Sequence, residues 1–294
     1  GTFSGKASAA YTPAPVHHIP GYTFDVTEYY KEHFEDALSN DNNAIGEDEW
    51  GSQKSKGELN YDLLVRLAIK LATGDSSNPT MFAKATGSVL VFLPGVPEIT
   101  RFCKLLETAW SSVGSKINMR ILPLHAGTNF ADQKLVFDGA KHNEIKIIAA
   151  TNVAEASITI PDVSVVVDSC KVKETDFDAE KQMNSLMMKF ASKDSLRQRR
   201  GRAGRVSAGR CFRLVTSNTF MNLPNHSVPE ILRASIDGLV LQIKSMSDGA
   251  ANNESCVVQL GRCPDAPPEQ VIATSEAILT RMQALDADGR ITPL

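Results

Sequence analysis

The chain has 294 residues, 42% hydrophobic and 22% charged, with 19 Gly and 14 Pro. That composition excludes disordered, collagen-like and coiled-coil classes, and the length allows one large domain or two modest ones. The net charge of −3 announces no polyanion partner. No apolar run reaches the roughly 18 residues a membrane span needs, and no charged-then-apolar leader opens the chain. Five cysteines, at 103, 170, 211, 256 and 263, contain no C-x-x-C pair, which argues against a disulfide framework or a zinc site and suits a reducing, intracellular compartment.

Residues 1–15 are small, polar and Pro-containing and read as a flexible tail. Gly5-Lys6 does not make a phosphate loop, because only three residues separate Gly1 from Gly5 where four are required. From Asp25 to Glu58 ten acids face Lys31, Lys54 and Lys56. The 39–58 part of that stretch reads as an acidic, solvated loop, with a partner site as the alternative. Tyr61, Leu64, Val65, Ala68 and Leu71 have helical spacing, with Asn60 or Asp62 as the starting residue.

An alternation of strands and helices follows. Ser88–Leu93, Met119–Leu124, Lys146–Ala150, Val163–Val167 and Arg210–Val215 are short apolar runs, read as buried strands. Pro97 suits the first turn of a helix with Ile99, Phe102, Cys103, Leu106 and Trp110 on one face, and Phe130–Phe137 predicts another helix. The pattern predicts an α/β fold, a mainly parallel sheet with helices on both faces. Lys171–Phe177 and Asn184–Phe190 read as an inserted β-hairpin. After Pro229 the chain turns helical, 249–268 reads as loop, and Pro268–Leu285 as a last amphipathic helix.

Two segments could carry chemistry. Seven arginines lie between Arg197 and Arg213, with no acid between Asp194 and Glu230. An unpaired guanidinium is too costly to bury, so the cluster reads as surface. It is either a solvated basic face or a phosphate site in which Gly201 and Gly204 let backbone approach while Arg202 and Arg205 project to one side. The second segment, Ala150-Thr-Asn-Val-Ala-Glu-Ala-Ser-Ile-Thr-Ile-Pro-Asp162, follows a strand and is rich in hydroxyl and amide groups. Its alternatives are a ligand loop at the carboxyl end of the sheet and a plain helix cap at Thr151 or Asn152.

The order and content of Leu90–Ile99, Pro123–Gly127, Thr151–Pro161, Val166–Ser169 and Gln198–Arg205 resemble motifs of the DEAH/RHA group of superfamily 2 helicases, which are ATP-dependent RNA helicases. The resemblance is to the second RecA-like domain, over about residues 16–245. Residues 246–294 resemble a linker and a truncated winged-helix domain.

The resemblance implies that Gln198, Arg202 and Arg205 face the ATP phosphates, the two arginines acting as catalytic fingers. It places Thr159 near the nucleotide and Phe137 against the adenine. It assigns Pro94, Gly95, Thr151 and Asn152 to the RNA backbone, and sets the 171–190 hairpin, with Lys171 and Lys173, where a duplex is parted. A plain sheet extension is the alternative for the hairpin. Four positions depart from the family pattern: Ala156 for a Thr, Pro161 for an Asp, Cys170 for a Gly, and His125-Ala-Gly127 for a Ser-bearing loop.

The sequence contains no G-x-x-x-x-G-K-[ST] and no Asp-Glu-x-His. In the family both lie on the first RecA-like domain, which holds most of the Mg2+ shell. The implied partners are therefore ATP with Mg2+, RNA, and that first domain of the same parent chain. The isolated chain is expected to be inactive, with Arg202 and Arg205 on an open surface. A catalytically dead RNA-binding scaffold is the other reading of the parent.

Overall fold

A computed structural model describes residues 15, 17, 24–39, 59–178, 183–247 and 254–292. Its strands are β1 (Val26–Tyr30), β2 (Ser88–Phe92), β3 (Asn118–Leu124), β4 (Glu144–Ala150), β5 (Val163–Asp168), β6 (Lys171–Asp178), β7 (Met183–Phe190) and β8 (Gly209–Arg213). Its helices are α1 (Lys31–Ser39), α2 (Tyr61–Thr73), α3 (Val96–Val113), α4 (Phe130–Phe137), α5 (Lys193–Arg200), α6 (Ser217–Met221), α7 (Asp237–Ser247), α8 (Cys256–Leu260) and α9 (Glu269–Arg281). Six strands form one sheet in the order β1-β8-β5-β2-β4-β3, and every neighbouring pair is parallel.

Every residue of β2 and β5 is buried, as continuous apolar runs in a doubly covered parallel sheet must be. Alternate side chains divide between two cores. Val89, Val91, Ile147, Ala149, Val165 and Val167 pack with α1, α2 and α3. Leu90, Phe92, Ile148, Ala150, Val166 and Cys211 pack with Val136 of α4, the 154–160 segment and Ala203. The helices begin where the side chains permit: Asn60 Oδ1 accepts from the Leu63 amide at 3.0 Å, Pro97 sits in the first turn of α3, and Asn129 Oδ1 accepts from the Asp132 amide at 2.9 Å.

Two differences from the sequence reading stand out. Residues 26–39, read only through their acidity, form β1 and α1. Phe34 is fully buried, and Tyr29 stacks on Phe212 of β8 at 5.0 Å between ring centroids, so aromatic packing wins over the charge pattern. The 249–268 stretch, read as loop, contains α8, capped by Ser255. The tail at 1–14 and the acidic segment at 40–58 lie outside the described residues. β6 and β7 pair antiparallel from Lys171↔Phe190 to Asp178↔Met183, giving the expected hairpin. Beyond a turn at Glu230–Leu232, α7, α8 and α9 bury their own cluster around Val240, Leu260, Ile272 and Leu279. The architecture is a RecA-like α/β fold.

Candidate functional site

Parallel strands give the sheet two chemically distinct edges, and the 151–162 segment joins them. It leaves the carboxyl end of β4 and must return along one face of the sheet to reach the amino end of β5. Only its first residues therefore stand at the carboxyl edge, where the sequence reading put the whole segment. Thr151 Oγ1 caps a single helical turn, Asn152–Ala154, and Ala154 and Ile160 anchor the crossover in the core. Thr159 arrives exposed near the opposite edge.

Three of the seven arginines, Arg199, Arg202 and Arg213, are buried, which corrects the surface reading for that part of the cluster. Arg199 and Arg213 are 1% and 0% exposed. Arg199 Nη1 donates to Asp168 Oδ1 and Arg199 Nε to Glu155 Oε2, both at 3.0 Å. Arg213 Nε donates to Glu28 Oε2 at 2.8 Å, and Arg200 Nη1 to Glu28 Oε1 at 2.7 Å. Carboxylates from distant segments supply the countercharge, so burial is tolerated. Burial works against the charge of Arg199, but Asp168 and Glu155 outweigh it and hold its pKa above the ordinary value. Burial likewise raises the carboxyl of Glu28, and Arg213 and Arg200 overcome that to leave it below its usual range.

Arg202 is also buried, at 7% exposure, instead of standing on an open surface. α5 ends at Arg200, and the following turn aims Arg202 at the crossover, where it donates to the carbonyls of Glu155 and of Ile158 (2.8 Å for Ile158). Burial, then the neighbouring Arg205, lowers its pKa. Arg205 is exposed and donates to the Thr159 hydroxyl. Gln198 is exposed on α5, one turn before Arg202. The 201–208 turn leads into the amino end of β8, and the Gly204 carbonyl accepts from the Phe24 amide at 2.9 Å beside the start of β1. Arg205 and Thr159 thus meet at the amino edge. Phe137, 44% exposed at the end of α4, belongs to the same side of the molecule, because α4 runs back from the carboxyl edge of β3 to the start of β4.

At the carboxyl edge the backbone stitches the other candidates together. The Leu93 amide donates to Ala150 O at 2.8 Å, Thr151 N to Leu124 O at 3.1 Å, and Ser169 N to Phe92 O at 3.2 Å. Pro94 is buried and shapes its turn, while Gly95, Thr151 and Asn152 reach the surface. Lys173 Nζ bridges both carboxylate oxygens of Glu98 at 2.8 Å, tying the hairpin to the first turn of α3. The Lys171 ammonium lies 3.6 Å from the centroid of the Phe190 ring, and burial lowers its pKa. Between the hairpin root, the start of α5 and the 230–233 turn lies a cleft of about 300 Å³, with Asn152, Glu155, Lys173, Ser195 and Arg233 on its walls.

Sequence reasoning missed Glu28, Glu155, Asp168 and Lys146. A charged residue within an otherwise apolar strand, as in Ile145-Lys-Ile-Ile148, or at the end of one, as in Val165-Val-Val-Asp168, was the signal for two of them. No group of three or more potential metal ligands occurs among the described residues, nor does any helix there long and apolar enough to cross a membrane.

A RecA-like sheet with an arginine-bearing turn at one edge and stitched loops with a hairpin at the other defines a helicase-type C-terminal domain. Comparison with known proteins agrees. Residues 77–207 match the family model described as "Helicase conserved C-terminal domain". The chain is 30% identical to the ATP-dependent DNA/RNA helicase DHX36 of Rattus norvegicus, over 98% of this chain and 32% of that protein. It is 31% identical to the DExH-box ATP-dependent RNA helicase DExH1 of Arabidopsis thaliana, over 96% of this chain and 31% of that protein. It shares the fold of the DEAH/RHA helicase HrpB of Escherichia coli, with a TM-score of 0.69 at 24% identity, over 93% of this chain and 29% of that one. The chain belongs to the DEAH-box ATP-dependent helicases and carries their conserved C-terminal helicase domain. It spans between 14% and 32% of the length of the curated relatives it matches.

Proposed function

We propose that the chain is the second RecA-like domain of an ATP-dependent RNA helicase that couples ATP hydrolysis to 3′–5′ movement on RNA and duplex unwinding. Residues 16–245 form that domain, 1–15 a tail, and 246–294 a linker with the start of a winged helix. The observation that carries the reading is the contact of Arg205 with Thr159 at the far end of the crossover that begins at Thr151. One segment thereby spans a phosphate-facing edge and an RNA-facing edge.

The donor set at the amino edge fits a polyphosphate: exposed Arg205 and Gln198, the Thr159 hydroxyl, and buried Arg202 behind them. Bound there, ATP would supply the phosphoryl-transfer chemistry, and Arg205, with Arg202 behind it, would stabilise the charge that develops. Phe137 takes the adenine. Mg2+ would be held mainly by the first RecA-like domain of the same parent chain. Pro94, Gly95, Thr151 and Asn152 hold the RNA backbone, and the hairpin with Lys171 and Lys173 meets the duplex. The protein works inside the cell, and the isolated 294-residue chain does not turn over ATP.

The test is RNA-stimulated ATP hydrolysis by the full-length parent and by its Arg205→Ala variant. Arg205 is exposed, so its removal does not confound the fold. A fall of at least about tenfold, about 1.4 kcal/mol in the barrier, is expected. No hydrolysis by the wild type, with salt-sensitive RNA binding intact, would establish the dead scaffold instead.

A further inference from the structure

Lys146 is fully buried in β4, and its ammonium holds three groups at once. It donates to Val136 O at 2.8 Å and to Asp138 O at 2.7 Å, and it pairs with Asp162 Oδ1 at 2.9 Å. The two carbonyls are those on either side of Phe137. Lys146 therefore caps the carboxyl end of α4 with a cation, where the helix leaves acceptors unmatched. Asp162 is itself fixed. Its Oδ2 accepts from Ser88 Oγ at 2.7 Å, its carbonyl accepts from the Ser88 amide at 2.7 Å, and a Cβ on Gly87 would lie 2.1 Å from that carbonyl.

From these contacts we infer that Lys146 is a positioning residue: it sets Phe137 against the nucleotide edge by clamping its flanking peptide groups to the Thr159–Asp162 segment. The line of contact is continuous. Arg205 touches Thr159; three residues on, Asp162 pairs with Lys146; and Lys146 grips the backbone around Phe137. α4 is only eight residues long and buries a single side chain, Val136. Arg120 also donates to Asp138 O at 3.4 Å and to Gly139 O at 3.0 Å, but both lie past Phe137, and Lys146 is the side chain that reaches the Val136 carbonyl before it. Phe137 keeps its exposed ring in one place through its backbone, and the ring can stack on a base without first being ordered. The inference rests on the reading of Phe137 as the base contact.

The two are separable in the full-length parent by measuring the KM for ATP beside inhibition by inorganic tripolyphosphate, which has no base. Phe137→Ala should raise the KM for ATP about fivefold or more and leave the tripolyphosphate inhibition constant unchanged. Lys146→Met should do the same, and adding Phe137→Ala to it should change the KM by less than about twofold. Should Lys146→Met fail to fold, Asp162→Asn, which keeps the shape and releases the ion pair, is expected to give the same base-dependent rise at about two- to threefold. A rise for Phe137→Ala with none for Lys146→Met or Asp162→Asn would overturn the positioning role alone. An equal loss of ATP and tripolyphosphate binding in the lysine variant would also overturn it, as a general structural defect. No change for Phe137→Ala would remove the base-contact reading and the inference with it.

Discussion

Arg199 Nη1 and Asp168 Oδ1 meet at 3.0 Å in the interior, with side chains 2% and 0% exposed. The contact joins α5 to the carboxyl end of β5. Asp168 also accepts from the Cys170 amide at 2.8 Å, and Arg213 stands 3.8 Å from its other oxygen. The pair belongs to a chain of charges running Arg200, Glu28, Arg213, Asp168, Arg199, Glu155. Removing the Asp168 carboxylate leaves Arg199 with Glu155 as its one carboxylate and Arg213 with Glu28, two buried cations each short of a countercharge. Asp168→Asn is expected to destabilise the protein by about 3–5 kcal/mol, read as a lower urea midpoint with an unchanged slope.

Glu28 links the same chain to β1, and its carboxyl is held below the ordinary value of 4.5 despite burial, by Arg213 and Arg200. A carboxyl depressed in the folded state contributes stability above its unfolded pKa and loses that contribution as pH falls through the folded one. The wild type should therefore lose thermal stability as the pH drops below about 4.5, whereas Glu28→Gln, less stable at neutral pH, should lose less over the same interval. Melting curves at neutral pH and at acid pH for both proteins check this. Parallel curves would mean that Glu28 is not a source of the acid sensitivity.

The glycines of the arginine turn have different roles. A Cβ on Gly204 would sit 2.6 Å from Phe24 O and 2.7 Å from a Val26 methyl, but one on Gly201 would meet nothing nearer than Gln198 O at 3.3 Å. Gly204 is required because the turn packs directly on the entry to β1. Gly204→Ala should cost about 1–3 kcal/mol, from overpacking against backbone. Gly201 has an ordinary helical φ of −59°. Gly201→Ala should change stability by less than about 1 kcal/mol. Urea denaturation of the two variants side by side makes the comparison.

How far the sequence could be read follows from these same residues. Runs such as Ser88–Phe92 and Val163–Asp168 are buried on both faces, so their composition alone indicated strands and a parallel sheet. β1 was missed because its pattern, with Glu28 and two tyrosines at partial exposure, belongs to an edge strand whose stability comes from β8 and from Phe212. At the site, the residue types were legible and their partners were not. Arg202 and Arg205 could be singled out by spacing. Their separation into one buried and one exposed side chain depends on the crossover lying beneath the turn. The acids that allow Arg199 and Arg213 to be internal lie 31 to 185 positions away. Pairing over such distances is fixed by topology, which no local pattern encodes.

The hairpin depends on one arginine for its attachment to the chain beyond the sheet. Arg233 Nη1 donates to Thr175 O at 2.7 Å, Arg233 Nε to Val228 O at 3.1 Å, and the Phe177 amide donates to Arg233 O at 2.9 Å. β6 is thereby bound to the 228–233 segment on one side, as Lys173 binds it to Glu98 on the other. A two-stranded hairpin standing alone is marginal in water, so its orientation relative to the sheet rests on such anchors. If the hairpin parts a duplex, it must resist the load of the paired strand, whereas ATP hydrolysis at the opposite edge needs no such rigidity. Arg233→Ala in the full-length parent should therefore slow unwinding of a tailed RNA duplex by at least about fivefold, near 1 kcal/mol, with RNA-stimulated hydrolysis changed by less than about twofold. Equal losses in both assays would make Arg233 a general structural support. Unwinding at the wild-type rate would leave the hairpin as a plain extension of the fold, because a loosened wedge could not work at full speed.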